Sequence, residues 1–113
     1  MDSRQQILNL IGLATKAGKT KSGEFSVEKS VKGGRSLLVI LSEEASGNTA
    51  KMFQNMCSYY HVPIVQFGTK DELGRSCGKE ARVSVSIEDA GFVQGIRKKL
   101  ESAGNGGTKY ENN

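Results

Sequence analysis

The sequence is poor in the residues on which most enzyme chemistry depends. His61 is its one histidine, which leaves most nucleophile–base arrangements without a base. Cys57 and Cys77 are too few for the disulfide framework of a small secreted domain, and two free thiols in a reducing cytoplasm are the economical expectation. No stretch approaches the roughly 20 apolar residues that a membrane span needs. The N-terminus, MDSRQQ, also lacks a signal-peptide pattern. Aromatic residues make up 6% of the chain, so stacking platforms for a single nucleic-acid strand are thinly supplied.

What the chain does carry is positive charge in one place. Its 113 residues suit one domain with a single core. An apolar fraction of 36% and a charged fraction of 25% are those of an ordinary globular protein. The net charge of +4 is uneven: residues 1–36 account for all of it, with seven Lys/Arg against Asp2, Glu24 and Glu28. Such asymmetry favours a polyanionic partner.

Periodicity predicts alternating helices and strands. Ser3-x-x-Gln6 resembles a capping box, with Ile7, Leu10, Ile11 and Ala14 following at helical spacing and Gly18 closing the helix. A short extended piece is expected near Thr20–Ser22, then a helix from Glu24 to Lys32 that buries Val27 and Val31 and stops at Gly33-Gly34. Leu37–Leu41 (LLVIL) is a continuous apolar run, which implies a strand covered on both faces. Ser46 or Asn48 caps a third helix whose stripe is Ala50, Phe53, Met56, Cys57 and Tyr60. Pro63 precedes a third strand, Ile64–Phe67, and Thr69 opens a short helix that ends by Gly78. Val83–Ile87 (VSVSI) alternates with period two and predicts a fourth strand with one polar face. Glu88 and Asp89 then start a last helix that buries Phe92, Ile96 and Leu100. The order implies a three-layer α/β/α sandwich. Residues 1–101 are expected to form this domain, and the polar, glycine-rich 102–113 a disordered tail.

Four candidate sites arise. Gly12 to Thr20 (GLATKAGKT) approaches the phosphate-binding pattern G-x-x-x-x-G-K-[ST], but five residues separate the glycines and Gly12 falls inside a predicted helix. That pattern needs a strand before it and a helix after it. Cys57 and His61 sit four apart on one helix, yet two ligands do not close a zinc site. Cys57 also belongs to the apolar stripe, and His61 suits a helix end. The adjacent pairs Glu43-Glu44 and Asp71-Glu72 are better placed as helix-start acids than as an acid/base couple. No enzyme, metal, cofactor or small-molecule substrate is called for.

The fourth candidate is a nucleic-acid face. Lys16, Lys19 and Lys21 lead into Gly23, Glu24 and Ser26 at the start of the second helix, with Lys29 one turn further on. A helix start supplies unpaired N–H groups and the positive end of the macrodipole, and the lysines supply mobile charge for phosphates. Lys70, Arg75, Lys79 and Arg82 form a second basic group around the short helix and the loop after it. The bland alternative is a solvated surface with Gly23 as a turn residue.

The order GLATKAGK, SGE, VEKSVKGG, LLVIL, SEEAS, YYHVPIV, LGRSCGKEARVSVSI and DAGF covers roughly residues 7–100. It resembles the ribosomal protein family of L7Ae and L30e and, within it, the small bacterial YlxQ-like paralogues. The resemblance implies an α/β/α sandwich around a mixed four-stranded sheet. It also implies binding to RNA kink-turns, sharply bent duplexes with tandem sheared G·A pairs, and an association with ribosomes. The RNA is held by the N-terminus of the second helix and the loop before the last strand. By this resemblance Gly23 is the glycine at the helix mouth, Lys29 a phosphate contact, Glu24 part of the same turn, and Lys79, Ala81, Arg82 and Val83 part of the loop that packs over a flipped-out base. The strongest binders carry an Asn-Glu pair that reads guanines, where this chain has Phe25 and Ser26. Ser26 keeps one hydrogen-bonding hydroxyl; Phe25 either stacks on a base or is buried. Two outcomes stay open: a cytoplasmic binder of structured RNA, or a ribosome-associated or protein-interaction accessory module that kept the fold and lost kink-turn specificity.

Overall fold

The computed structural model describes residues 2–103 and holds five helices and four strands: α1 (Ser3–Lys16), β1 (Thr20–Ser22), α2 (Glu24–Lys32), β2 (Leu38–Leu41), α3 (Gly47–Tyr60), β3 (Ile64–Gln66), α4 (Lys70–Ser76), β4 (Ser84–Ile87) and α5 (Ala90–Ser102). The strands form one sheet in the order β1-β4-β2-β3. β4 pairs antiparallel with both β1 and β2, and β3 lies parallel to β2, so the sheet is mixed. Alternation divides β2 between two cores. Leu38 and Ile40 join α1, α4 and α5 on one face; Val39 and Leu41 join α2 and α3 on the other. The chain is therefore an α/β/α sandwich.

Local chemistry sets the ends of the elements. Asp2 caps α1, accepting from the Gln5 N–H at 2.8 Å. The expected Ser3–Gln6 capping box does not form: the N-cap falls one residue earlier, where the Asp2 carboxylate is a strong acceptor for the orphan N–H groups of the first turn. Ser46 caps α3, Asp89 caps α5, and Thr69 with Glu72 completes a capping box on α4. His61 ends α3 in the left-handed region, at φ 58°. Ser102 is the last residue of α5. Residues 104–113, the rest of the segment expected to be disordered, lie outside the described residues.

The expected polar face of β4 is present, and it is turned inward: Ser84 and Ser86 are fully buried beneath α2. β4 is an interior strand with helices on both sides, so period-two alternation here separates an apolar core from a buried polar one. The Ser86 hydroxyl lies 2.8 Å from that of Ser30 and 2.7 Å from that of Ser36. Ser30 donates onward to Glu88 at 2.6 Å. Small hydroxyls that satisfy one another let α2 sit close to the sheet without an unpaired polar group at this point. Ser84 Oγ, by contrast, has no partner among the described residues.

Candidate nucleic-acid interface

The local sequence leaves one helix mouth open. Among the described helices, α2 alone lacks a side-chain N-cap. Its N-cap is Gly23, at φ 93° and ψ 153°, a conformation in which a side chain would be strained. The Gly23 N–H donates to the Ser84 carbonyl at 3.0 Å, which fixes the helix start to the sheet. The N–H groups of the first turn are thus offered outward with the positive end of the dipole.

The loop after α4 is brought against this mouth by backbone contacts. The Lys79 N–H donates to the Gly74 carbonyl at 2.8 Å, and the Arg82 N–H to the Lys70 carbonyl at 3.0 Å. Gly74 makes this possible, since a Cβ there would lie 1.7 Å from the Glu80 carbonyl oxygen. The Arg82 side chain consequently lies over Gly23, where a Cβ would stand 3.8 Å from Nε. Its guanidinium also donates to the Ala81 carbonyl at 3.0 Å.

A shallow groove of about 350 Å³ results, with Lys21, Ser26, Lys79 and Arg82 on its walls. Residues from two distant stretches of the chain, 15–26 and 77–82, meet there. Around it, Glu24 and Ala81 are exposed. Val83 is half-buried against the core beneath α2 and α3, and its carbonyl accepts from the Ser42 N–H at 2.7 Å. Phe25 is not buried: it is 73% exposed, with Lys29 Nζ 5.3 Å from the centre of its ring. The exposed face of α2 thus presents an aromatic surface with a cation beside it.

Two expected residues are elsewhere. Lys16, at the end of α1, lines a different groove between α1 and α4. Lys19 lies at the far end of β1, where its carbonyl accepts from the Glu88 N–H at 2.8 Å. Sequence reasoning also missed several residues at the floor. Thr15 and Thr20, whose hydroxyls are 3.0 Å apart, line the groove with Cys77. The threonines sit within the basic stretch and were legible as polar neighbours, but Cys77 is distant in sequence and carried no signal.

The competing sites find no support in the geometry. Gly12 is mid-helix with no strand before it, so its N–H is committed to α1. Cys57 is buried in the core, and burial pushes its thiol up to about 12. It is therefore protonated at neutral pH and a poor ligand. His61 is exposed beyond the helix end. Among the described residues no three His, Cys, Asp or Glu side chains are placed to share a metal. No described helix is long and apolar enough to cross a membrane.

Comparison with known proteins finds relatives over most of the chain. Residues 5–96 match the model of the ribosomal protein L7Ae/L30e/S12e/Gadd45 family. The RNA-binding protein YlxQ of Bacillus subtilis is 46% identical over 92 residues, spanning 81% of this chain and 92% of that protein. The large ribosomal subunit protein eL8 of Thermoplasma volcanium is 33% identical over 103 residues, spanning 90% of this chain and 85% of its own. A solved structure of a Bacillus halodurans protein of unknown function superposes with a TM-score of 0.79 at 37% identity, covering 84% of this chain and 96% of the other.

Proposed function

The chain belongs to the ribosomal protein L7Ae/L30e/S12e/Gadd45 family, and on that premise we propose that it is a non-enzymatic RNA-binding protein that recognises kink-turn-like RNA. Its role is to bind and hold a shape. The observation that carries the reading is the uncapped mouth of α2 with Arg82 laid across Gly23. A bent duplex brings two backbones close together, and this groove offers donors on both sides. Lys21, Lys29, Lys79 and Arg82 neutralise phosphates. Gly23 allows the backbone to approach, and the free N–H groups of the first turn donate to a phosphate or a base edge. Glu24 and Ser26 supply the remaining hydrogen bonds to base or sugar. Phe25, exposed and unable to replace an amide, stacks on an unpaired base at the bend. Ala81 and Val83 shape the loop on the opposite side of the bend. The eL8 relatives are ribosomal proteins by name, which supports association with the ribosome in the cytoplasm.

Titration of the full chain with a kink-turn RNA and with a straight duplex of equal length tests this. The kink-turn is expected to bind more tightly, and four phosphate contacts predict a slope of log K against log salt of about −3 to −4. Lys21→Ala with Lys29→Ala lowers that slope by about two. An unchanged slope places the RNA on another face. Phe25 and Ser26 favour a second reading, an accessory module that binds RNA without preferring the bend; equal affinity for both RNAs selects it.

A further inference from the structure

Lys16 and Arg75, one from each basic group, are left unused by the α2 site. The two meet in a groove of about 540 Å³ between α1 and α4, where the side chains of Gln5 and Asn9 also bond each other at 3.0 Å. That groove is not isolated. Arg75 also lines a second depression of about 470 Å³, which it shares with Lys79. Lys79 in turn lines the groove at the mouth of α2. One strip of surface therefore passes from Lys21 and Arg82, by way of Lys79 and Arg75, to Lys16.

The acids along this path are Asp71, Glu72 and Glu80. Glu72 is already neutralised, because Arg4 grips its carboxylate at 2.5 and 3.0 Å. Asp71 and Glu80 border only the middle depression, which leaves Lys16 and Arg75 facing a groove without an unpaired acid. Cations spaced along a strip and continuous with the α2 site match a chain of phosphates better than they match one anion. The amides of Gln5 and Asn9 suit the 2′-hydroxyls and phosphates of an A-form stem, which is recognised by shape and not by sequence.

We propose that the groove between α1 and α4 receives one arm of the bound RNA, with Lys16 and Arg75 contacting its backbone beyond the bend. This rests on the RNA-binding reading and extends it: the α2 mouth grips the bend, and the strip sets the direction in which a stem leaves it. The stretch around Lys16 is thereby divided between two tasks, since Lys21 serves the bend and Lys16 the arm.

The test compares the full-length parent with a Lys16→Gln, Arg75→Gln double variant, whose thermal midpoint first confirms folding. Three RNAs are used: a kink-turn trimmed close to the bend, and the same kink-turn with either arm lengthened by about one helical turn. The expected result is equal affinity for the trimmed RNA. On one lengthened RNA the variant weakens by about tenfold at 0.1 M salt, and its salt slope falls by about two. Parental affinity on both lengthened RNAs overturns the proposal. So does an equal loss on all three, which would assign the two residues to the bend or to general attraction. Leu13 is 52% exposed at the same groove, so an apolar peptide partner is the competing occupant, and those unaltered RNA affinities are its signature. A parent that fails to distinguish kink-turn from straight duplex refutes the kink-turn reading instead. The variant is then compared on long straight duplex, where an unchanged slope overturns the strip as well.

Discussion

Replacing Gly74 by alanine sets two effects of opposite sign against each other. In an ordinary helix interior the change stabilises by about 1 kcal/mol, because alanine is the better helix former. Here the new Cβ would lie 1.7 Å from the Glu80 carbonyl oxygen, 2.5 Å from its carbon and 3.0 Å from the Ala81 Cα. All three are backbone atoms, so no side chain can rotate away. The loop must retreat by more than an ångström, straining or breaking the bonds from Lys79 to Gly74 and from Arg82 to Lys70. Overpacking costs about 1–3 kcal/mol, and each backbone bond lost adds about 1 kcal/mol. Against the helix gain, a net loss of about 2 kcal/mol is expected, lowering the melting midpoint by about 10 °C in a domain of this size. The same retreat draws Arg82 off Gly23, so RNA affinity falls by about tenfold and the salt slope by about one. Gly12→Ala is the control, since its Cβ would meet only the Ser76 carbonyl at an ordinary 3.5 Å. It is expected to melt at or above the parent. If Gly74→Ala does the same and binds RNA unchanged, the seating of the loop on α4 is refuted.

Phe25→Ala removes an exposed ring, so thermal stability should change by less than about 0.5 kcal/mol while kink-turn affinity falls by roughly five- to a hundredfold from lost stacking; a protein that melts much earlier would mean the ring is packed. Ser86→Ala leaves Ser36 without its 2.7 Å partner, and urea unfolding should show a loss of about 1–2 kcal/mol. Ser84→Ala removes a hydroxyl that has no partner among the described residues, so the same measurement should show no loss. Arg4 beside Glu72 holds its carboxyl below the usual carboxylate range. The stability this gives is present above the unfolded carboxylate value and is lost as the pH falls through the folded one. Both side chains are partly exposed, which limits the pair to about 0.5–1 kcal/mol. Arg4→Gln should erase that amount at pH 7 and flatten the acid side of a stability–pH curve below about pH 4.5.

Much of the fold follows from local pattern. The limits of α2 were legible because Gly23 and Gly33 bracket a short amphipathic run. β2 was legible as doubly covered because a run without polar residues has no face to give to water. The polar face of β4 was legible but its burial was not, because alternation reports two different environments without saying whether either is solvent. The partners of Ser86 are Ser30 and Ser36, which are far away in sequence. The candidate site divides in the same way. Its lysines, its glycine and the unusual Phe25 could be read in order along the chain. Whether Phe25 is buried could not, since a lone aromatic at a helix start has no period to place it.

The sequence by itself determined the elements, the uneven charge and the resemblance to a family, all of which depend on residues close together along the chain or on their order. Only the tertiary structure decided which cations share a surface. Arg82 reaches Gly23 because Gly74 lets the Glu80 backbone settle on α4. Lys16 parts from Lys21 because Lys16 ends α1 while Lys21 lies within β1, paired to β4 in the sheet. Such contacts are set by packing between segments distant in sequence, and no local pattern encodes them.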